Sequence, residues 1–107
     1  PIDLLFASSG LEPEIVAEAD RVELLPGVVV PVAKTGHLLA LKVLAGRPKD
    51  TLDALELIRV CSPEELLRAR EGLDRIERRG FHRGRSDLQK LLGDLIERVR
   101  NAAWERE

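Results

Sequence analysis

The sequence PVAKTGHLLALKVLAGRPKDTLDALELI, residues 31–58, decides the fold of this chain. An extended segment leads into an apolar helix, predicted over residues 36–45, in which Lys42 is the only charged side chain. Residues 46–49 form a turn, and a second helix begins at Asp50, which has a side chain suited to an N-cap. Because the first helix is apolar on nearly all sides, we expect it to lie buried at the centre of the domain.

The charged side chains around this turn allow two interpretations. The Lys42 side chain either packs along the surface with its ammonium group in solvent, or directs this group from a solvent-excluded face towards an anion. Asp50 either caps its helix, with Asp53 completing a capping box worth about 1 kcal/mol, or belongs to a buried charge cluster with Arg47 and Lys49. The cluster interpretation predicts that the head groups of Lys42 and Asp50 lie within salt-bridge range.

Upstream, residues 2–7 are an apolar run that predicts a strand buried on both faces. Asp3 interrupts it, either as a solvated residue at the exposed strand start or as a catalytic carboxylate. The chain has no Met and begins inside this run, so we interpret it as a fragment or an excised domain of a longer protein.

Between this run and the central helix, the pattern predicts a short helix and a hairpin. The helix covers residues 11–19, with Ile15, Val16 and Ala19 facing inward. Residues 21–25 and 28–32 are predicted strands joined by Pro26-Gly27, a pair suited to a tight turn. We further expect Thr35 to cap the central helix and His37 to be a surface or capping residue.

The last part of the chain predicts two helices packed antiparallel. Ser62-Pro63-Glu64-Glu65 is a strong helix start, and its apolar stripe ends before Gly80. Ser86 or Asp87 caps the last helix, which carries a leucine-rich stripe. The connector, residues 78–85, holds four arginines and is either a solvated loop or a contact for a phosphate or an acidic partner.

Together these elements predict an α+β domain: a small mixed or antiparallel sheet packed with helices, ending in the antiparallel helix pair. We assign residues 1–60 to the α/β region and residues 61–107 to the helical hairpin, packed as one unit. At 107 residues the chain fits one small domain, and 44% apolar residues suffice for a core.

Charge and cysteine content exclude several classes of protein. A net charge of −2 gives no general positive field for nucleic acid, although residues 59–107 hold more than twice as many basic side chains as residues 1–58. Cys61 is the single cysteine, which rules out an internal disulfide and a cysteine metal cluster. No apolar run approaches the roughly 18–20 residues that span a bilayer, so we expect a cytoplasmic protein without membrane contact.

The central unit resembles the downstream half of bacterial nucleotidyltransferase-fold proteins, namely the minimal nucleotidyltransferases and the abortive-infection-type toxin transferases. The resemblance rests on Val30-Pro31-Val32-Ala33, His37-Leu38-Leu39-Ala40-Leu41-Lys42, Gly46-Arg47-Pro48-Lys49-Asp50 and Asp53. Asp3 falls where that family carries a third metal-binding carboxylate. The similarity extends from about Ile2 to Ile58, and more loosely through residues 81–85.

The resemblance implies a two-metal transfer of a nucleotide from a nucleoside triphosphate, with Mg²⁺ as the cofactor. It implies the following roles: Asp3 as a catalytic, metal-binding carboxylate, Lys42, Arg47 and Lys49 as contacts for nucleotide phosphates, and Asp50 and Asp53 as the carboxylates of the downstream motif. The nucleotide and the acceptor (protein, tRNA or small molecule) are left open.

The sequence departs from that family in one respect, because it contains neither a Gly-Ser dipeptide nor an Asp-x-Asp pair. Ser8-Ser9-Gly10 follows Asp3 instead of preceding it, and one carboxylate cannot hold two metal ions. We therefore expect no transfer by this chain alone, and activity only with a missing N-terminal half or a second chain. The alternatives are a non-catalytic scaffold whose helix pair mediates homodimerisation or partner binding, and a small α+β domain without a site.

Overall fold

From residue 12 onward, the elements that the structure describes follow the predicted order. A computed structural model describes residues 12–80 and 87–105. Its elements are α1 (Glu12–Glu18), β1 (Asp20–Leu25), β2 (Val28–Val32), α2 (Thr35–Ala45), α3 (Pro48–Val60), α4 (Pro63–Arg78) and α5 (Leu88–Glu105). Over these residues the fold is α+β, as predicted, with five helices and one two-stranded antiparallel sheet.

Helix α2 lies at the centre of the core, as its composition predicts. Leu39 and Leu44 are fully buried, and α2 packs against α3, α4 and α5. Burial of each such leucine contributes about 1.5–3 kcal/mol, so this helix organises the apolar core. The surrounding helices contribute aliphatic side chains: Ala54, Ile58, Ala69, Leu73, Ile76, Leu88, Leu92 and Ile96.

The contact between α2 and α4 depends on a glycine. A Cβ atom at Gly36 would overlap the backbone carbonyl oxygen of Glu65 and lie 2.9 Å from Cβ of Arg68. The Gly36 N–H donates to Oε1 of Glu65 over 2.9 Å. The expectation that Thr35 caps α2 is wrong: Thr35 is already helical, and Lys34 is the N-cap without a side-chain cap bond. A carboxylate from α4 instead satisfies a free N–H of the first turn.

The local start signals of α4 and α5 are confirmed. The Ser62 hydroxyl accepts the Glu65 N–H over 3.2 Å, as an N-cap does. Asp87 caps α5, because its Oδ1 accepts the Lys90 N–H over 3.0 Å. Gly80, with φ of +79°, follows the end of α4.

Helices α4 and α5 run antiparallel, as predicted. The Leu88 N–H at the start of α5 donates to Oε1 of Glu77 near the end of α4 over 3.0 Å. At the opposite end, Pro63 and Arg100 line the same groove between the two helices. No helix within residues 12–80 and 87–105 is both long enough and apolar enough to cross a membrane.

The predicted hairpin is also confirmed. Val22 of β1 lies opposite Val30 of β2, and Gly27 adopts φ of +80° in the connecting turn. Every residue of β1 is exposed, so the hairpin stands apart from the helical core. Val16 was expected to face inward but is 71% exposed, and Ile15 anchors α1 in the core. The predicted strand of residues 2–7 lies outside the described residues.

Candidate functional site

The turn between α2 and α3 determines where the predicted site residues lie. Gly46 adopts φ of +65° and its N–H donates to the Lys42 carbonyl over 3.0 Å, which ends α2. Pro48 then occupies the first turn of α3, where its fixed φ and missing N–H cost nothing. Helix α3 therefore begins two residues earlier than predicted. Asp50 is not the N-cap; from within the first turn it accepts the Arg47 backbone N–H over 3.2 Å.

Four of the predicted site residues meet at this turn. Lys42 Nζ lies 2.9 Å from Oδ2 of Asp53 and 3.5 Å from Oδ1 of Asp50. Arg47 Nε donates to Oδ2 of Asp50 over 2.6 Å. The predicted approach of Lys42 and Asp50 is confirmed. We call Lys42, Arg47, Asp50 and Asp53 the Lys42 cluster.

Burial makes Asp50 the centre of the Lys42 cluster. Its side chain is 1% exposed, whereas those of Lys42 and Arg47 are 28% and 73% exposed. The hydrogen bond from Arg47 lowers the pKa of Asp50, and the hydrogen bond to Asp53 raises the pKa of Lys42. A buried carboxylate needs such partners to stay ionised. The cluster thus carries two positive and two negative groups and is close to neutral.

Lys42 borders two depressions. A cavity of about 260 Å³ between α2, α3 and α5 is lined by Lys42, Thr51, Asp94 and Arg98 together with apolar neighbours. An open groove of about 440 Å³ lies on the other side, where Leu38, Leu57 and Val60 accompany Lys42 and Asp53. The amine therefore lies at the junction of two surfaces that a ligand could contact.

The remaining predicted site residues are not part of the cluster. Lys49 is exposed and forms no ion pair within the described part of the chain. Asp3 and residues 81–85 of the arginine-rich connector lie outside the described residues. Two arginines of that connector are paired: Arg78 with Asp74 over 2.8 Å, and Arg79 with Glu14.

A second charged cluster was not predicted. Arg68 of α4 binds Glu18 over 2.9 Å and also pairs with Glu65, which in turn accepts the Gly36 N–H. Burial alone would raise the pKa of Glu65, but the hydrogen bonds from Arg68 and Gly36 hold it below its ordinary value. These contacts join α1, α2 and α4 beside the core.

His37 lies next to this second cluster and is fully buried, so the expectation of a surface or capping histidine is wrong. Both ring nitrogens lack a hydrogen-bond partner, and Nε2 lies 4.0 Å from Oε2 of Glu18. Its position beside Leu41 and Leu44, on a helix that is apolar on nearly all sides, was the signal that could have indicated burial. Burial lowers the pKa of His37, against the opposing effect of Glu18.

We expect the free energy of unfolding to fall as the pH drops from 7 towards 5. The folded-state pKa of His37 lies below the ordinary value of 6.5, so in this range the unfolded chain binds a proton that the folded chain does not. Stability is therefore lost as the pH falls below about 6.5. Urea unfolding followed by circular dichroism across this range measures the loss.

Matched variants separate this effect from other titrations. His37→Leu should abolish the loss between pH 7 and 5, whereas His82→Gln should retain it. The carboxylates with lowered pKa, such as Asp50 and Glu65, affect stability only below about pH 4.5. An identical pH profile in His37→Leu and the wild type would show that His37 is not the group responsible.

Comparison with known proteins does not assign the chain to a family: no family model matches it, and neither does any curated protein. Within residues 12–80 and 87–105, no three histidine, cysteine, aspartate or glutamate side chains form a group that could hold a metal ion.

Proposed function

We propose that this chain is the downstream part of a nucleotidyltransferase-like protein, which transfers a nucleotide from a nucleoside triphosphate to an acceptor. The observation that carries the proposal is the Lys42 cluster. Four of the residues on which the resemblance depends converge on one turn, around a carboxylate that is 1% exposed. Of this cluster, Lys42 lines both the cavity and the groove, and Asp53 lines the groove.

The proposal divides the roles among the basic residues. Lys42 is bound to two carboxylates, so it shapes the site more than it neutralises a ligand. Lys49 directly precedes Asp50, is exposed and forms no ion pair within the described residues, so it is the residue proposed to contact the triphosphate. Phosphate contacts of this kind depend on ammonium groups that are not already neutralised.

Asp50 and Asp53 are poorly placed to bind a magnesium ion, because Lys42 and Arg47 contact both oxygens of Asp50 and Lys42 contacts Oδ2 of Asp53. The proposal therefore assigns the metal to Asp3 and to an Asp-x-Asp pair from an N-terminal half or a second chain. Bound there, magnesium would supply charge stabilisation to the phosphates and activate the acceptor hydroxyl.

The test is transfer of label from α-³²P-labelled nucleoside triphosphates by the intact polypeptide that contains this chain together with such a half. Asp3→Ala should abolish transfer. Lys49→Ala should raise KM for the triphosphate about tenfold with unchanged stability, because one charged hydrogen bond is lost. Asp74→Ala, which removes an exposed aspartate on α4, is the matched control and should transfer normally.

Unchanged transfer in Asp3→Ala would remove Asp3 as a ligand, and unchanged KM in Lys49→Ala would remove Lys49 from the phosphate site. A second function, a non-catalytic scaffold, is favoured by the near-neutral charge of the Lys42 cluster. Absence of transfer by the intact polypeptide, with all these variants folded, would support the scaffold and contradict the enzyme.

A further inference from the structure

The β1–β2 hairpin leaves an unusual amount of apolar surface uncovered. Six of its aliphatic side chains are between 37% and 65% exposed: Val22, Leu24, Leu25, Val28, Val29 and Val32. A two-stranded sheet is only marginally stable by itself, and three or more strands are needed for independent stability. Exposed apolar strands with open edges are sites where another strand pairs.

The two edges of this hairpin are not equivalent. Pro31 of β2 lies opposite Arg21 of β1. Proline has no N–H, so in a sheet its nitrogen faces away from the paired strand. By the same pairing, Arg21 turns its N–H and C=O away from β2, and Glu23 two residues later does so too. Within the described residues, the free edge of β1 therefore offers complete backbone groups at Arg21 and Glu23, ahead of the irregularity between Glu23 and Leu25, whereas the free edge of β2 lacks a donor at Pro31.

The side chains on the β1 edge are self-complementary. Neither Arg21 nor Glu23 forms an ion pair in the described part of the chain, and both are exposed. If two β1 strands pair antiparallel about a two-fold axis at Val22, Arg21 lies opposite the partner's Glu23, and Glu23 opposite the partner's Arg21. Axes at Arg21 or at Glu23 would instead place like charges opposite each other, which is destabilising.

We propose that the chain forms a homodimer in which β1 pairs antiparallel with β1 of a second copy, centred on Val22. The two hairpins then form one continuous four-stranded sheet. The interface is isologous, so each favourable cross-strand pair occurs twice. Backbone hydrogen bonds form between Arg21 and the partner's Glu23, where the outward-facing groups meet.

This register places the two copies of Val22 at a non-hydrogen-bonded position, with Cα atoms about 4.5 Å apart. That separation lies within the range of a disulfide. In a Cys61→Ala background, Val22→Cys should therefore form a covalent dimer on mild oxidation. Leu24→Cys is the matched control: its two copies lie about 13 Å apart along the strands and should not cross-link.

Sedimentation velocity on the 107-residue chain tests the charge pairing. Arg21→Glu and Glu23→Arg each introduce two repulsive pairs per dimer and should raise the dissociation constant at least about tenfold. The double variant Arg21→Glu/Glu23→Arg restores the pairs in reversed order and should dimerise like the wild type.

Three outcomes would overturn the proposal. One is a wild-type chain that stays monomeric at high concentration, as expected if another part of the chain or a different protein covers β1. The second is a dimer that the single charge reversals leave intact, which would place the interface elsewhere. The third is cross-linking of Leu24→Cys as efficient as that of Val22→Cys, which would exclude this register.

Discussion

Gly36→Ala is expected to lower the free energy of unfolding by about 3 kcal/mol, the upper end of the usual cost of overpacking. The new methyl group would overlap the Glu65 carbonyl oxygen and approach the Ala69 nitrogen to 3.1 Å. Both are backbone atoms of α4 and cannot rotate away. Helices α2 and α4 would have to separate, which loosens the packing around Leu39 and Leu73.

Gly93→Ala provides the matched control within the same protein. Gly93 lies inside α5, and a Cβ atom there meets nothing within 4 Å. This substitution should stabilise the protein by about 0.5–1 kcal/mol, because alanine has the higher helix propensity. Urea unfolding of both variants gives the two values. A loss below about 1 kcal/mol in Gly36→Ala would contradict the tight contact between α2 and α4.

The elements predicted correctly are those with local signals. Helix α4 is predicted by Ser62 at the N-cap and by the apolar repeat of Ala69, Leu73 and Ile76. All three of these apolar residues are fully buried. The hairpin was predicted from Pro26-Gly27 between two strand segments, residues 21–25 and 28–32. Caps, turns and periodicity act over a few residues, so a single sequence is enough to recognise them.

The features that were missed depend on residues far apart in the chain. The Glu65 carboxylate that binds the Gly36 N–H is 29 residues away, and no local pattern of α2 indicates it. Thr35 is a better cap than Lys34 by residue type, yet the tertiary contact decides where α2 begins. His37 is similarly buried by the approach of other elements, although histidine has only an intermediate tendency to be buried.

The residues of the candidate site and the approach of Lys42 to Asp50 were predicted, but the rest of its geometry was not. The sequence identified Lys42, Arg47, Asp50 and Asp53, and the structure brings them together. The sequence pattern did not show that Asp50 lies inside α3. The helix begins at Pro48, which places Asp50 within its first turn. Nor could residue type alone show that the shorter contact of Lys42 is with Asp53, because this depends on the path of the turn. Their roles in nucleotide binding stay predictions.

Asp50 connects the fold to the proposed function, and Asp50→Ala should lower the free energy of unfolding by about 2–3 kcal/mol. The substitution removes a partly buried, charge-assisted hydrogen bond to Arg47; hydrogen bonds to charged groups contribute about 1.5–3 kcal/mol. It also frees the Arg47 backbone N–H and removes a favourable negative charge from the first turn of α3. Because Lys42 and Arg47 retain contact with water, the loss stays below that of a fully buried broken pair.

Asp53→Ala is the control, because Asp53 also binds Lys42 but is 39% exposed. Its loss should be below about 1 kcal/mol, as for other solvent-exposed ion pairs. Asp50→Asn adds a pH test. Since the pKa of Asp50 is lowered from 3.8, its contribution is present above that pH and is lost as the pH falls through the folded-state pKa. The stability difference between the wild type and Asp50→Asn should therefore shrink in acid. Equal losses in Asp50→Ala and Asp53→Ala, or a difference independent of pH, would show that the buried carboxylate is not what holds the turn together.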